Sequence, residues 1–382
     1  MNEFDVIVVG AGAMGSAAAY HLACDGRSVL LVEQFEIGHN RGASHGHSRI
    51  IRLSYDHPTY VRLSKLSYAL WAELEADAGE KVITTTGGLD LSKPGHPAFE
   101  ACISSMNEVG IDYELLDAAE IRRRYPQFRI EPGTVGAFQK DAGILNPSQC
   151  VPLMVRMAEK HGATILDRTG VTGFHFDEDS IEVACGDRKY RSAKLVITPG
   201  PWAEPLLSKI GLAVPVRVTE ERYVFFRPPD PELFSIGRFP IFAQYGQNRN
   251  GPDIEFYGFP VFGLDGVKVA EHHFGPPVTA DSRSFDVPEE TIERLRHRMQ
   301  ALVPQALGEV VHAMTCLYSL TPDRNFIIDL LPGYPGIAIA AGFSGHGFKF
   351  AIAVGRILAD LVEKGRSDFP IDLLRLSRFV TR

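Results

Sequence analysis

Hydrophobic positions follow two different periods along the chain, one typical of buried strands and the other of helices. An apolar run at 5–9 predicts a buried parallel strand, and residues 14–23 predict a helix. A second apolar run at 28–33 predicts the next strand. Later residues repeat both patterns, with helical spacing at 60–76, 120–125, 152–161 and 350–361 and strand patterns at 82–91, 163–166, 195–197 and 337–341. This alternation indicates an α/β fold.

A glycine-rich turn, Gly10-Ala-Gly12-Ala13-Met14-Gly15, joins the first predicted strand to the first predicted helix. Glycines at its first, third and sixth places allow a sharp turn and leave no Cβ between the backbone and a ligand. The following helix directs free N–H groups and the positive end of its dipole at a pyrophosphate. Glu33 lies about 20 positions later, where a carboxylate accepts hydrogen bonds from an unphosphorylated ribose. The pattern predicts a dinucleotide site without distinguishing NAD from FAD.

The pattern of the first domain is interrupted twice. We expect a discontinuous dinucleotide-binding domain formed by residues 1–80, 141–215 and 317–382, with a hairpin-like stretch at 170–188. Residues 81–140 and 216–316 then form a substrate domain. In its second part, Val267 and Val269 alternate with Lys268 and Ala270, which predicts an antiparallel sheet with one face toward a cavity. Phenylalanines of this region fit a core or an aromatic pocket, with the core favoured: Phe225, Phe226, Phe239 and Phe242.

Composition narrows the classes of function. The 382 residues include 39 basic and 47 acidic side chains, and a net charge of −8 gives no general attraction to nucleic acid or to an anionic membrane. We find no signal-peptide pattern, no membrane-spanning run and no peroxisomal address. The 5 cysteines are scattered without a C-x-x-C pair, which favours a reducing cytoplasm and gives no sign of a metal site.

Two glycine-rich stretches are candidate anion sites. Residues 38–52 are loaded with basic side chains and form either a solvated loop or an anion-binding loop. In the second interpretation Arg49 and Arg52, three positions apart, lie on one face of a short helix or turn. The stretch 342–349 precedes the last predicted helix and is a second candidate cradle for an anion or an oxygen.

A set of motifs together resembles the monomeric sarcosine oxidase family and its relatives, the N-methyltryptophan and pipecolate oxidases. The resemblance covers essentially the whole chain and implies a glutathione-reductase-type FAD-binding Rossmann domain with an inserted mixed or antiparallel β-sheet substrate domain. FAD is therefore expected. The motifs are the glycine turn, Ser44–Arg52, Tyr257-Gly-Phe-Pro, Lys268 with His272, Cys316-Leu-Tyr318, Thr321-Pro-Asp-x-x-Phe-Ile-Ile-Asp329 and Gly342-Phe-Ser-Gly-His-Gly-Phe-Lys349.

The resemblance assigns roles to three of these residues. Cys316 matches the cysteine that forms a thioether with the flavin 8α-methyl group, although a free cysteine by itself is more often a small buried hydrophobe. Arg52 and Lys349 match the pair that binds the substrate carboxylate, since a guanidinium grips a carboxylate through two hydrogen bonds and an ammonium adds a point charge. The alternative for Lys349 is a surface lysine at the start of a helix.

Other matches concern catalysis. Lys268 matches a lysine beside flavin N5 that speeds the reaction with oxygen; as a strand lysine facing water it would instead leave a dehydrogenase. His272 matches a histidine near the bound amine, and Tyr257 and Tyr318 match tyrosines lining the pocket. His45 and Arg49 match residues near the flavin. For His273 we expect an ordinary surface position.

The remaining positions are expected to contact the cofactor. They are Gly10, Gly12, Ala13, Met14, Gly15, Glu33, Gln34, Ser44, Arg49, Val171, Gly200, Trp202, Gly342, Gly345, His346, Gly347 and Lys349.

The implied reaction is oxidation of a secondary amino acid, N-methyl or cyclic, to an imine that water hydrolyses, with oxygen reduced to hydrogen peroxide. No metal is required and a monomer is expected. Two other classes stay open: a flavin dehydrogenase that passes electrons to a quinone or carrier protein, and a non-catalytic flavoprotein. The sequence leaves the identity of the substrate open, because residues 220–251 match no single relative.

Overall fold

Strands and helices alternate through the chain of the computed structural model, which describes residues 3–177, 180–248 and 251–379. The helices there are α1 (Ala13–Cys24), α2 (Pro58–Ala78), α3 (Pro97–Val109), α4 (Ala118–Arg124), α5 (Pro147–Lys160), α6 (Ala203–Leu207), α7 (Glu289–Leu302) and α8 (Ala351–Lys364). The first strands are β1 (Glu3–Val9), β2 (Val29–Val32), β3 (Arg49–Ile51), β4 (Ile83–Thr85), β5 (Gly88–Ser92), β6 (Glu114–Asp117), β7 (Val135–Gln139), β8 (Gly143–Leu145), β9 (Thr164–Leu166) and β10 (Gly173–Phe176). The others are β11 (Ile181–Cys185), β12 (Arg188–Ile197), β13 (Arg217–Phe226), β14 (Ile241–Asn248), β15 (Gly251–Phe262), β16 (Leu264–Glu271), β17 (Pro277–Val278), β18 (Val310–Leu320), β19 (Ile327–Leu331) and β20 (Tyr334–Ala341).

The first sheet has β1 at its centre, parallel to β2 on one side and to β12 on the other. The second half of β12 pairs in parallel with β20, whereas its first half continues into the antiparallel pair β10 and β11. Alternate residues of β1 enter two cores: Val6 and Val8 pack in the core that contains α1 and α8, and Ile7 and Val9 pack on the opposite face. The continuous apolar run is thus explained by burial on both faces.

The second sheet is mixed and has nine strands, with β14 parallel to β5 and antiparallel pairs elsewhere. One face packs into a core that contains Phe226, Phe242, Val267 and Val269. The other face carries polar and aromatic side chains at alternate positions, because successive residues of a strand point to opposite faces. These side chains are Asp90, Tyr245, Tyr257, Lys268, Tyr223, Cys316 and Tyr318.

The burial of the phenylalanines confirms the core interpretation. Phe226, Phe239 and Phe242 share one cluster. Phe225 packs in a smaller cluster beside Cys316.

A small third sheet corrects the interpretation of the basic loop. Arg49 begins β3, which pairs with β8, and β8 also pairs with β4. Arg49 and Arg52 therefore do not share a face of a helix or turn; the chain between them is extended, because Ile50 and Ile51 are β-branched and enter a sheet.

Several other boundaries differ from the sequence prediction. Helix α5 begins at Pro147, five residues before the predicted start, because the Asn146 side chain caps it by accepting a hydrogen bond from the Ser148 N–H; Pro152 lies inside the helix. The strand predicted at 82–91 is two strands, separated at Gly87 by a left-handed backbone (φ 71°). None of the helices in the described ranges combines the length and the apolar character that crossing a bilayer requires.

Candidate functional site: a groove between the two large sheets

The glycine turn after β1 has the geometry of a dinucleotide cradle. Gly10 has a φ of 94°, and a Cβ there would lie 2.4 Å from the Thr198 carbonyl oxygen. A Cβ on Gly15 would lie 1.8 Å from the Gly10 oxygen, so both glycines are required by close packing. At Gly12 the nearest atom to an added Cβ would be Ser44 Oγ at 3.4 Å, which leaves room for a ligand.

Glu33 lies at the end of β2 beside this turn. Its two carboxylate oxygens accept hydrogen bonds from the N–H groups of Ala11 (2.8 Å) and Phe35 (3.0 Å). A carboxylate has about four lone-pair positions, so acceptor capacity is left for ribose hydroxyls. The remaining acceptor capacity of Glu33 and the open cradle at Gly12 fit an adenine dinucleotide such as FAD.

Two adjoining cavities form one groove from this cradle to the second sheet. The cavity beside Glu33 has a volume of ≈ 220 Å³ and the cavity under the second sheet ≈ 560 Å³. They share Gly12, Ala43, Ser44, Thr198 and Gly200 as walls. All predicted site residues line one cavity or the other except Gly15, which lies under the turn, and His45.

Arg52 and Lys349 lie in the larger cavity with different partners. Arg52 Nη1 donates to Asp90 Oδ1 at 2.6 Å, and both residues are buried. Lys349 Nζ donates to the Tyr55 hydroxyl at 2.7 Å and to the His346 carbonyl at 3.0 Å. Burial, with Arg52 and Arg49 nearby, lowers the pKa of Lys349 well below its usual value. An anion between these two cations would therefore be strongly favoured.

Lys268 projects from β16 into a nearly dry site, since only 2% of its surface is exposed. Its ammonium donates to the Ser48 carbonyl (2.9 Å) and lies 4.4 Å from the Tyr223 ring centre and 4.8 Å from that of Phe259. Burial and the charge of Arg49 lower the pKa of Lys268 well below that of a free lysine. The water-facing alternative for this strand lysine is wrong.

Cys316 lies on β18 beside Arg49. The Arg49 Nη2 lies 3.4 Å from Cys316 Sγ and 3.1 Å from the Ala43 carbonyl. Cys316 also lines the larger cavity, so its side chain borders the space that a ligand in the groove would occupy. Cys24, Cys102, Cys150 and Cys185 are also unpaired, and of these Cys102 lines the larger cavity too, with its Sγ 3.2 Å from the Tyr245 hydroxyl.

His272, Tyr318 and Tyr257 form an aromatic group at the far wall. His272 Nδ1 lies 3.2 Å from the Tyr318 hydroxyl, and the Tyr257 ring meets that of His272 edge on. Burial and neighbouring basic groups lower the pKa of His272 well below its usual value, so the ring is neutral at physiological pH. Tyr318 packs against Gly345, where an added Cβ would lie 2.2 Å from the tyrosine ring.

The structure corrects the surface prediction for His273. Only 5% of its surface is exposed, and its ring lies 4.0 Å from the His272 ring. A left-handed backbone (φ 63°) after β16 turns this side chain inward. Asp253, the nearest carboxylate of this group, forms an ion pair with Arg324 at 2.7 Å.

Several residues of the site were not found from the sequence. Asp90 and Tyr55 hold the two cations, Ser48 holds Lys268, and Arg283 contacts the buried His45. The one sequence signal was Asp90, a carboxylate in the apolar run Leu89-Asp90-Leu91 of β5. The others depend on contacts between distant parts of the chain.

Comparison with known proteins gives a consistent result. The family profile described as FAD dependent oxidoreductase (DAO) matches residues 5–361. The monomeric sarcosine oxidase of Bacillus sp. (strain B-0618) is 36% identical over 381 residues, which is 99% of this chain and 96% of that protein. The N-methyl-L-tryptophan oxidase of Citrobacter koseri is 30% identical over 380 residues, 99% of both chains.

Solved structures share the fold. NikD, an amino acid oxidase of nikkomycin biosynthesis, matches with a TM-score of 0.85 at 25% identity over 98% of each chain. The L-proline dehydrogenase of P. horikoshii matches with a TM-score of 0.86 at 22% identity over 99% of this chain and 98% of its own.

Proposed function

Because the chain belongs to the FAD-dependent oxidoreductase family, we propose that it is an amine oxidase that acts on a secondary amino acid, N-methyl or cyclic, such as sarcosine. The observation that carries this proposal is the pair of cations, Arg52 and Lys349, in the cavity that adjoins the dinucleotide cradle. The names of the sarcosine oxidase and the N-methyl-L-tryptophan oxidase described above indicate N-methyl amino acids as their substrates, which supports this substrate class.

Substrate orientation follows from the two cations. Arg52 keeps N–H donors beyond the one that Asp90 occupies, and Lys349 adds a point charge, so together they bind a carboxylate. Charge-assisted hydrogen bonds contribute about 1.5–3 kcal/mol each. A substrate held by its carboxylate presents its Cα–N unit to the wall of the cavity that His272 and Tyr257 line.

His272 is suited to the amine end of the substrate. A neutral imidazole accepts or donates a hydrogen bond without adding a positive charge, and so favours the neutral amine that must give up a hydride equivalent. The Tyr318 hydroxyl fixes the ring orientation through Nδ1.

Lys268 is assigned to the reaction with oxygen. When bound, FAD would supply the acceptor for the hydride equivalent and the two electrons that reduce oxygen to hydrogen peroxide. A buried ammonium without a carboxylate partner among the described residues stabilises the negative charge that develops on oxygen. Its placement favours an oxidase over a dehydrogenase.

Covalent attachment of FAD through Cys316 is part of the proposal. The position of Cys316 supports it, since this side chain lines the groove that begins at the dinucleotide cradle and contacts the Arg49 guanidinium at 3.4 Å. Among the other cofactor positions, His45 is assigned a supporting role because it is buried behind the cavity wall.

We also propose a monomer in the cytoplasm, with the two-part division of the chain given above. Five unpaired cysteines fit a reducing compartment, and the bacterial relatives bear the name monomeric.

The test joins two measurements on the purified holoenzyme. Acid precipitation shows whether the yellow flavin stays with the protein, and anaerobic mixing with N-methyl and cyclic amino acids shows which substrate bleaches it. Admission of air then gives the rate of reoxidation and the yield of peroxide. We expect a covalent flavin, bleaching by at least one secondary amino acid and rapid recovery with one peroxide per turnover.

Each step has a contrary result. A bleached flavin that air barely restores would identify a dehydrogenase that uses a quinone or carrier protein. A flavin that none of these N-methyl and cyclic amino acids bleaches would rule out oxidation of a secondary amino acid. Release of the flavin into the acid supernatant would refute covalent attachment through Cys316 and would leave the proposed oxidase activity standing.

A further inference from the structure

Arg283 is a buried cation that the proposed reaction does not use. It lies between β17 and α7 with 8% of its surface exposed. In the described part of the chain it forms no ion pair with a carboxylate, and it lines neither cavity. Burying an uncompensated guanidinium is costly unless its N–H groups are satisfied, so its hydrogen bonds indicate what it is for.

Its donors connect two segments that are distant in sequence. Nη1 donates to the carbonyls of Asn40 (2.6 Å) and Arg41 (3.2 Å) in the loop before β3. Nε donates to Thr315 Oγ1 at 2.8 Å, and Nη2 donates to the Thr315 carbonyl. Thr315 directly precedes Cys316 on β18, so Arg283 fastens this loop to the strand that carries the cysteine.

The fastened loop contributes the groups around Cys316. The Ala43 carbonyl accepts from Arg49 Nη2 at 3.1 Å, and Arg49 in turn lies against Cys316 Sγ. Ser44 Oγ accepts from the Ala13 N–H at 3.0 Å, which ties the same loop to the dinucleotide cradle. A shift of the loop would therefore change the position of Sγ relative to both Arg49 and the cradle.

We infer that Arg283 is a positioning residue for flavin attachment, holding the loop 40–45 on β18 so that Arg49 and Cys316 meet in register with the cofactor groove. The inference rests on the proposed covalent flavin. Only a planar guanidinium fits, because its fork serves acceptors on both segments in fixed directions, whereas a lysine ammonium is a point donor.

A contact with His45 adds to this arrangement. Arg283 Nη2 lies 3.4 Å from His45 Nε2. A guanidinium has no acceptor, so Nε2 must accept and the His45 proton resides on Nδ1. Burial, Arg49 and Arg283 lower the pKa of His45 to about 2, which keeps this ring neutral across the working range of pH.

The attachment reaction itself must balance. Formation of the bond from Sγ to the 8α-carbon releases one proton from the thiol, and one proton and two electrons from the methyl group. The flavin takes up the electron pair, and oxygen then accepts it together with two protons, giving hydrogen peroxide. Arg283 takes no part in these transfers and sets only the geometry in which they occur.

The test compares Arg283→Lys with the wild type after apoprotein is mixed with FAD in air. Acid-precipitable flavin is followed with time, and amide hydrogen exchange is measured over residues 40–45. We expect attachment at least about 10-fold slower, with faster exchange in the loop. Arg122→Lys is the matched control, because Arg122 donates twice to the Ile130 carbonyl away from the groove and should leave both readouts unchanged.

Thr315→Val gives a second, milder variant. It keeps the shape of the side chain and removes the acceptor for Arg283 Nε, so an intermediate rate is expected. If Arg283→Lys does not fold, this variant decides: attachment at the wild-type rate overturns the inference.

Other outcomes are also decisive. Wild-type attachment and loop exchange in Arg283→Lys would overturn the inference while leaving the oxidase in place. A wild-type protein without covalent flavin would refute the attachment part of the proposed function; the positioning role is then judged by loop exchange, and unchanged exchange overturns it.

Discussion

At the scale of single residues, the site combines three buried cations that have few compensating carboxylates. Arg52 is paired with Asp90, whereas Lys268 and Lys349 are held by hydroxyl and carbonyl oxygens in the described chain. Burial lowers the pKa of both lysines. Such groups are expected where a negative charge is bound or develops during a reaction.

Replacing Lys268 by methionine removes the charge and keeps the length of the side chain. We expect reoxidation of the reduced enzyme by oxygen to slow by about 10²–10³-fold, the range for loss of one preorganised donor, with anaerobic reduction by substrate little changed. Stopped-flow measurement separates the two half-reactions. Lys189→Met is the control, since Lys189 is an exposed strand lysine paired with Glu182; equal slowing of both half-reactions would contradict the assignment.

The same lysine predicts a pH dependence. A lysine is charged below its pKa, and burial with Arg49 lowers the pKa of Lys268 well below its usual value. Reoxidation should therefore decrease as the pH rises through this lowered pKa, well before the pH at which free lysine titrates. The Lys268→Met variant should lack this decrease, and its persistence there would point to another group.

Asp90→Asn tests the ion pair of Arg52. Loss of one partner from a buried pair costs about 3–5 kcal/mol, and asparagine, which still accepts a hydrogen bond, should cost less. We expect a lower melting temperature and a larger stabilisation by propionate than in the wild type, because the carboxylate then compensates Arg52. Glu108→Gln, which breaks the exposed pair with Arg62, should change stability by less than about 1 kcal/mol. Equal propionate effects in wild type and Asp90→Asn would show that Arg52 does not bind the ligand.

At the scale of elements, β18 and the loop after β20 must fit together closely. At Gly345, with a φ of 81°, an added Cβ would meet the Tyr318 ring at 2.2 Å. Gly345→Ala should displace this ring from His272 and reduce turnover. It should also destabilise the fold by about 1–3 kcal/mol beyond the cost of the left-handed backbone alone.

A matched control isolates that backbone cost. Gly333 has a φ of 84° and no atom within 4 Å of an added Cβ, so Gly333→Ala reports the left-handed penalty without a clash. The two variants are compared by thermal unfolding and by turnover. If Gly345→Ala and Gly333→Ala behave alike, close packing of Tyr318 on Gly345 is not what the enzyme requires.

Local pattern explains which elements could be predicted from the sequence. The β1–α1–β2 unit was predictable because buried parallel strands and the glycine turn leave strong local signals. Helices α3 and α7 leave a weaker local signal, because neither begins with a side chain that caps it. Arg49 was assigned to a helix or turn because spacing of three fits that geometry, but pairing with β8 decides the conformation.

Side chains that act through distant contacts were outside the reach of sequence reasoning. Arg283 and Thr315 meet across 32 positions, and Lys349 and Tyr55 across 294. The motifs identified Lys349, but nothing in its neighbourhood named its partner. For residues whose chemistry alone allows several roles, Cys316 above all, the predicted role came from the resemblance to a family.

At the scale of the whole molecule, the groove joins the cradle on the parallel sheet to the polar face of the mixed sheet. The positive charge of the inner cavity contrasts with the net charge of −8 of the chain. A carboxylate is thus attracted by local groups, and its binding should alter their protonation. In the free enzyme burial and, after it, the charge of Arg52 lower the pKa of Lys349 and so disfavour its charged form.

Binding of a carboxylate should therefore be coupled to proton uptake. An anion beside Lys349 raises its pKa, so at a pH between the free and bound values one proton enters with the ligand, and affinity falls as the pH rises through this window. Calorimetry with propionate in buffers of different ionisation enthalpy gives the number of protons. We expect uptake approaching one at alkaline pH, and none with propionamide.

The Lys349→Met variant identifies the group that takes up the proton. His272, His346, Tyr55 and Lys268 also border or face this cavity, and any of them could contribute. If Lys349→Met takes up no proton and binds propionate about 10–100-fold more weakly, the effect is assigned to Lys349. That decrease in affinity corresponds to about 1.5–3 kcal/mol for a charge-assisted hydrogen bond. Uptake that survives in the variant would place the titrating proton on one of the other groups and leave Arg52 as the carboxylate ligand.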